Sequence, residues 1–110
     1  MNSDLQELIQ KLLKFRDDRN WAQFHNAKDL ALALSIECAE LNELFLWKSA
    51  PEADRERVKE ELAYIFCFAL LLAEKYDFDI AEIVSAKIEL NSLKYPVEKS
   101  KDTAKKYNDL

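Results

Sequence analysis

Between Asp4 and Lys94, apolar residues recur at steps of three and four. Strict alternation with polar residues, the mark of a half-buried strand, is absent. Leu5, Leu8, Ile9, Leu12, Leu13 and Phe15 form one stripe of a first helix, with Ser3 or Asp4 as its cap and an end near Arg19. Asn20 to Ala27 is a connection rich in aromatics. A second helix is predicted from about Lys28 to Lys48. Pro51 breaks the chain and suits the entry to a third helix, about Glu52 to Tyr76. Asp79 caps a fourth, about Ile80 to Lys94, which Pro96 stops. The pattern predicts an all-α protein, a four-helix bundle spanning residues 1–96 as one domain, followed by a polar, lysine-rich tail, 97–110, expected to be poorly ordered. The third helix is apolar nearly all round between Leu62 and Ala73, which one small bundle cannot cover. A homo-oligomer, dimer or tetramer, is therefore expected to complete the fold.

Glutamates interrupt these apolar stripes. Glu37, Glu40 and Glu43 follow one another at steps of three along the leucine-rich second helix, so neighbours share a flank. At about 100° per residue, Leu30, Leu41 and Leu44 fall within about 40° of Glu37. Glu37 is thus predicted on the buried face, Glu40 at its border and Glu43 further out. On the third helix Glu61 shares a flank with Ile65, Phe68 and Leu72. Two facing helices would then build a carboxylate pocket, and buried carboxylates need a cation or hydrogen bonds to compensate them. The alternative is a solvated acidic face.

Two more groupings have open readings. Lys87, Asn91 and Lys94 lie on one line of the fourth helix with Ile80 and Ile83; they could hold phosphate oxygens, or be snorkelling lysines and a solvated amide. Trp21, Phe24, His25 and Trp47 could stack a nucleobase or simply pack as core.

Composition narrows the classes. Of 110 residues, 49% are hydrophobic and 34% charged, which describes a globular chain. With no glycine there is no P-loop and no Gly-rich dinucleotide loop. A net charge of −5 argues against nucleic-acid polymers as partners. Cys38 and Cys67 have no metal-type spacing and read as small buried hydrophobes. The polar, acidic N-terminus carries no signal-peptide pattern, and the twelve-residue apolar run is too short to span a bilayer, so a cytoplasmic location and no membrane partner are expected.

The order of these segments resembles the MazG-like nucleoside triphosphate pyrophosphohydrolases, in particular the small dCTP pyrophosphatase-like branch. That family carries ExxE on one helix and ExxD on the next, and the carboxylates bind magnesium. Glu37-Cys-Ala-Glu40 matches the first half, continued by Glu43 and Leu44 to Trp47. Arg19-Asn-Trp21 through Phe24 and His25 looks like the base-site segment, and Lys87 through Asn91 to Lys94-Tyr-Pro96 like the phosphate-side segment. The resemblance implies Mg2+ held by Glu37, Glu40 and Glu61, a base held by Trp21, Phe24, His25 and Trp47, and phosphates held by Lys87, Asn91 and Lys94. The implied reaction is attack at the α-phosphorus of a nucleoside triphosphate, releasing pyrophosphate. One position departs from the pattern. The second motif reads Glu61-Leu-Ala-Tyr64, with a phenol of pKa about 10 where an aspartate is expected. A nucleotide-binding relative with impaired catalysis, or a helical interaction module without catalysis, are the alternatives.

Overall fold

The computed structural model describes residues 3–110, which contain helices and no strand. The chain divides into two compact units, residues 1–77 and 78–110. The first unit holds α1 (Asp4–Asp18), α2 (Ala27–Glu43) and α3 (Arg55–Lys75), with 3₁₀ turns at Trp21–Phe24 and Ala50–Glu52. The second holds α4 (Ile80–Lys94), a short α5 (Val97–Ser100) and a 3₁₀ turn at Tyr107–Asp109.

Local chemistry sets the helix ends. Ser3 and Gln6 form a capping box on α1, each side chain accepting from the other's backbone N–H at 3.1 Å. Asn26 caps α2, Asp54 caps α3 and Asp79 caps α4, each through a side-chain oxygen that accepts from the first turn. Without glycine, the left-handed residues that close helices are Asn and Asp. Asn20 follows α1 at φ 53° and Asp77 follows α3 at φ 57°.

Two boundaries differ from expectation. α2 stops at Glu43, and Leu44 to Trp47 continue as turns, with Trp47 at φ 62°. A bulky side chain seldom adopts such a backbone, and hydrophobicity alone gives no warning of it. Pro51 belongs to the separate 3₁₀ turn, and α3 starts three residues after that turn, behind its own aspartate cap. The tail is also more structured than its composition suggests. Tyr107 packs edge-on against Tyr95 at 6.0 Å, and the Lys94 ammonium lies 4.9 Å above the Tyr107 ring.

In the first unit α2 packs along α3 and α1 rests against α3. Leu30, Leu44, Leu70, Leu71 and Ala73 are buried. Among them sits Arg16, whose Nε donates to Asp17 at 2.8 Å and whose guanidinium reaches Glu74 of α3 at 3.0 Å. Arg16 completes the series Leu5, Ile9, Leu12, which is why an arginine lies on the inner side of α1. Much apolar surface stays open on the single chain, including Leu62, Tyr64 and Phe66 of α3 and Ile83, Val84, Ile88, Leu90 and Leu93 of α4. Among the described residues no helix is long and apolar enough to cross a membrane.

The α1–α3 tie gives the first prediction. Arg16→Met keeps most of the stem but strands the Glu74 carboxylate, which is partly exposed, so the cost should be about 1–3 kcal/mol in urea unfolding. Adding Glu74→Leu should recover part of it. Equal stability of Arg16→Met and the parent would show that the ion pair contributes nothing.

Candidate active site

The face of α2 that meets α3 decides whether Glu37 is buried. Leu30 and Leu44 are buried and Leu41 is half-buried. Glu37, in phase with them, is half-buried, whereas Glu40 and Glu43 are exposed. On α3, Glu61 is half-buried, as are Ile65, Phe68 and Leu72 on its flank. Packing α2 on α3 brings Glu37, Glu40 and Glu61 together, with one carboxylate oxygen of each lying within 4.8 Å of the others.

Such a cluster is electrostatically poor without a counter-charge. Glu37 Oε2 and Glu61 Oε2 are buried with no hydrogen-bond partner. The Glu37 pKa is pushed up to about 7. The neighbouring Glu61 carboxyl, with which it can share a proton, is the largest cause; burial follows, and then Glu40. Three hard oxygen donors, two of them with orphaned inner oxygens, fit a small divalent cation bound through carboxylates and water. Glu37, Glu40 and Glu61 would hold it.

The proposed base residues separate into two sets. Trp21 and His25 line a cavity of about 520 Å³ between α1, the first 3₁₀ turn and α3. That size falls in the range of small-molecule clefts, about 300–1,000 Å³. Its walls are almost wholly apolar, with Leu8, Leu12 and Phe15 on one side and Phe66, Phe68 and Leu71 on the other. Trp21 is set by an edge-to-face contact with Phe15 at 5.7 Å, and the Arg19 guanidinium covers the same Phe15 at 3.8 Å. His25 presents a buried Nδ1 with no partner. Burial and the charges of Arg16 and Lys75 lower its pKa, so the ring is held neutral. Phe24 is exposed beside this cavity's turn, and Trp47, 91% exposed, lines a different hollow with Ala39, Asn42, Glu43 and Phe45. Lys87, Asn91 and Lys94 are exposed on α4.

Sequence reasoning missed Arg16 and the cavity walls on α1 and α3; the spacing of Arg16 from Leu12 and Leu5 was the available signal for the first. Cys38 is exposed instead of buried, because α2 turns that position away from α3, and Cys67 lines the cavity. Neither is in a disulfide.

Among the described residues the regular structure is helical, and two main helices that close on a triad of glutamates fit the class of α-helical proteins with an acidic site for a divalent cation. Comparisons with known proteins carry this further. A family model described as MazG-like matches residues 32–110. Mouse (Mus musculus) dCTP pyrophosphatase 1 is 35% identical over 114 residues, covering 96% of this chain and 67% of that protein. The human (Homo sapiens) dCTP pyrophosphatase 1 is 32% identical over the same shares of both chains, 96% and 67%. The crystal structure of a pyrophosphatase from Archaeoglobus fulgidus DSM 4304 superposes with a TM-score of 0.81 at 36% identity, covering 87% of this chain and 95% of that one. The chain belongs to the MazG-like family.

The raised Glu37 pKa makes a pH prediction for the metal-free protein. A carboxyl whose folded pKa lies above its ordinary 4.5 contributes stability that is complete below that value and is lost as the pH rises through about 7. His25 acts oppositely: its lowered pKa costs stability as the pH falls below its ordinary 6.5. The difference between parent and Glu37→Gln isolates the first term. Between pH 5 and 8 in a chelator, the parent's melting temperature should fall relative to that of Glu37→Gln. Parallel curves would mean that Glu37 ionises freely in the folded chain.

Proposed function

We propose that this nucleoside triphosphate pyrophosphohydrolase uses Mg2+ at Glu37, Glu40 and Glu61 and acts on a dCTP-like substrate. The observation that carries the reading is the α2–α3 carboxylate triad with its two unpartnered inner oxygens. An all-oxygen donor set suits magnesium, which binds through a few carboxylates together with water and substrate phosphates. The dCTP-like substrate is suggested by the relatives that bear that name.

In this reading the apolar cavity takes the base, with Trp21 as a face to stack on and the free Nδ1 of neutral His25 as an acceptor or donor for its edge. Phe24 and Trp47 complete the proposed aromatic set from exposed positions. Lys87, Asn91 and Lys94 offer ammonium and amide donors to phosphate oxygens. Glu37, Glu40 and Glu61 would hold the cation, or one of them would instead orient the attacking water and accept its proton. Water oxygen bonds to the α-phosphorus while the bond to the bridging oxygen on the β side breaks, so a nucleoside monophosphate and pyrophosphate leave. When bound, magnesium supplies charge neutralisation and a more acidic water.

The open apolar residues Leu62 of α3 and Ile83, Val84, Ile88, Leu90 and Leu93 of α4 support a homodimer or homotetramer that covers them. A reducing, cytoplasmic setting suits two unpaired cysteines. Tyr64 favours a second reading, a relative that binds nucleotide but turns it over weakly, because a phenol stands where the resemblance leads one to expect a carboxylate.

Incubation with each deoxynucleoside triphosphate and Mg2+ should yield monophosphate and pyrophosphate in equal amounts, fastest with dCTP. Glu37→Gln and Glu61→Gln should abolish turnover while keeping the helical circular dichroism. Full activity in either variant would reject these ligands. Binding of a non-hydrolysable analogue without any turnover would favour the second reading. Light scattering at micromolar concentration should give at least twice the mass of one chain; a monomer would refute the assembly.

A further inference from the structure

Helix α3 serves two sites at once. Its Glu61 belongs to the carboxylate triad, and Tyr64, three residues on, lines the apolar cavity together with Phe66 and Trp21. Tyr64 is 55% exposed, so its ring forms part of the cavity's rim rather than its floor. Glu37 Oε2 and Glu61 Oε2 have no hydrogen-bond partner, so the Tyr64 hydroxyl does not cap these two oxygens. Tyr64 therefore faces the cavity and leaves the triad uncapped. From this we infer that Tyr64 is a specificity-determining residue: its ring forms part of the cavity's rim and packs against the nucleoside part of the substrate, taking no part in holding the cation. The inference rests on the proposal that the cavity receives the base.

Its chemistry is that of an aromatic wall. A ring at the rim offers a flat, polarisable face to a planar base or to the sugar. A carboxylate there would put charge beside apolar walls and cost ligand desolvation. Binding through this wall should not need phosphates or metal.

The test uses neutral ligands, the four 2′-deoxynucleosides, titrated into the metal-free chain and followed by tryptophan fluorescence and ligand-observed NMR. A separate titration with Mn2+, followed by electron paramagnetic resonance, reads the triad alone. The parent should bind at least one deoxynucleoside. Tyr64→Ala should weaken that binding about three- to tenfold, Tyr64→Phe should restore it, and the Mn2+ affinity of both should match the parent. Tyr64→Leu, which keeps apolar bulk without a ring, replaces the alanine variant should that one fail to fold, and the same weakening is expected. Parent-like nucleoside binding in Tyr64→Ala or Tyr64→Leu, alongside a clear loss in Trp21→Ala, overturns the role of Tyr64 and leaves the cavity reading standing. No loss in Trp21→Ala, or no deoxynucleoside bound by the parent, overturns the cavity reading and this inference with it. A lower Mn2+ affinity in Tyr64→Phe would place the phenol on the cation and overturn the inference by itself.

Discussion

Mutual repulsion among Glu37, Glu40 and Glu61 is the constraint on which the rest of the first unit depends. Two leucine-lined helices could pack with no charge between them, and would be more stable for it. Here α2 and α3 instead close on three carboxylates, two of which keep an unpartnered buried oxygen. The Glu37 pKa is pushed up to about 7 there, first by the neighbouring Glu61 carboxyl with which it can share a proton, then by burial, with Glu40 adding to it. The repulsion is tolerated because the surrounding contacts hold α2 on α3. Leu30 and Leu44 on one side and Leu70, Leu71 and Ala73 on the other are buried, and Arg16 ties α1 to the far end of α3 through Glu74. A folded state that stores repulsion at one place is poised to gain from a cation there.

The same helix carries that charge to the edge of an uncharged space. α3 turns Glu61 toward the triad and Tyr64, Phe66 and Phe68 toward the cavity that Trp21 and His25 also line. α3 thus borders both a cluster of carboxylates and an apolar space. The MazG-like family is matched over residues 32–110, so the three glutamates of the triad lie inside the matched region, whereas Trp21 and His25 lie upstream of it.

Much of this could be read from the residues, for definite reasons. Capping side chains and apolar periodicity located four helices, and Asp79 and Ser3 cap where expected. Glu37 and Glu61 were legible because each shares a wheel angle with leucines, isoleucine or phenylalanine that must be buried. Arg16 was not, because a residue counted as polar is ignored when a stripe is drawn, although its spacing from Leu12 places it inward. The end of α2 was hidden by Leu44-Phe-Leu-Trp47, which reads as continued helix but turns, leaving Trp47 at positive φ and in solvent. Cys38 looked like core because cysteine usually is, yet it lies on the side of α2 turned from α3. The tail read as polar, but Tyr95, Tyr107 and Lys94 give it aromatic contacts that composition does not reveal.

The most direct test of stored repulsion relieved by a cation is thermal melting at pH 8 with and without Mg2+, comparing the parent with the double variant Glu37→Gln/Glu61→Gln. Without metal, the double variant should melt higher than the parent, because the repulsion is gone. With metal at about a hundred times its dissociation constant, the parent should gain about 2.7 kcal/mol and the variant nothing. A variant that melts lower than the parent without metal, or gains equally from magnesium, would contradict the account.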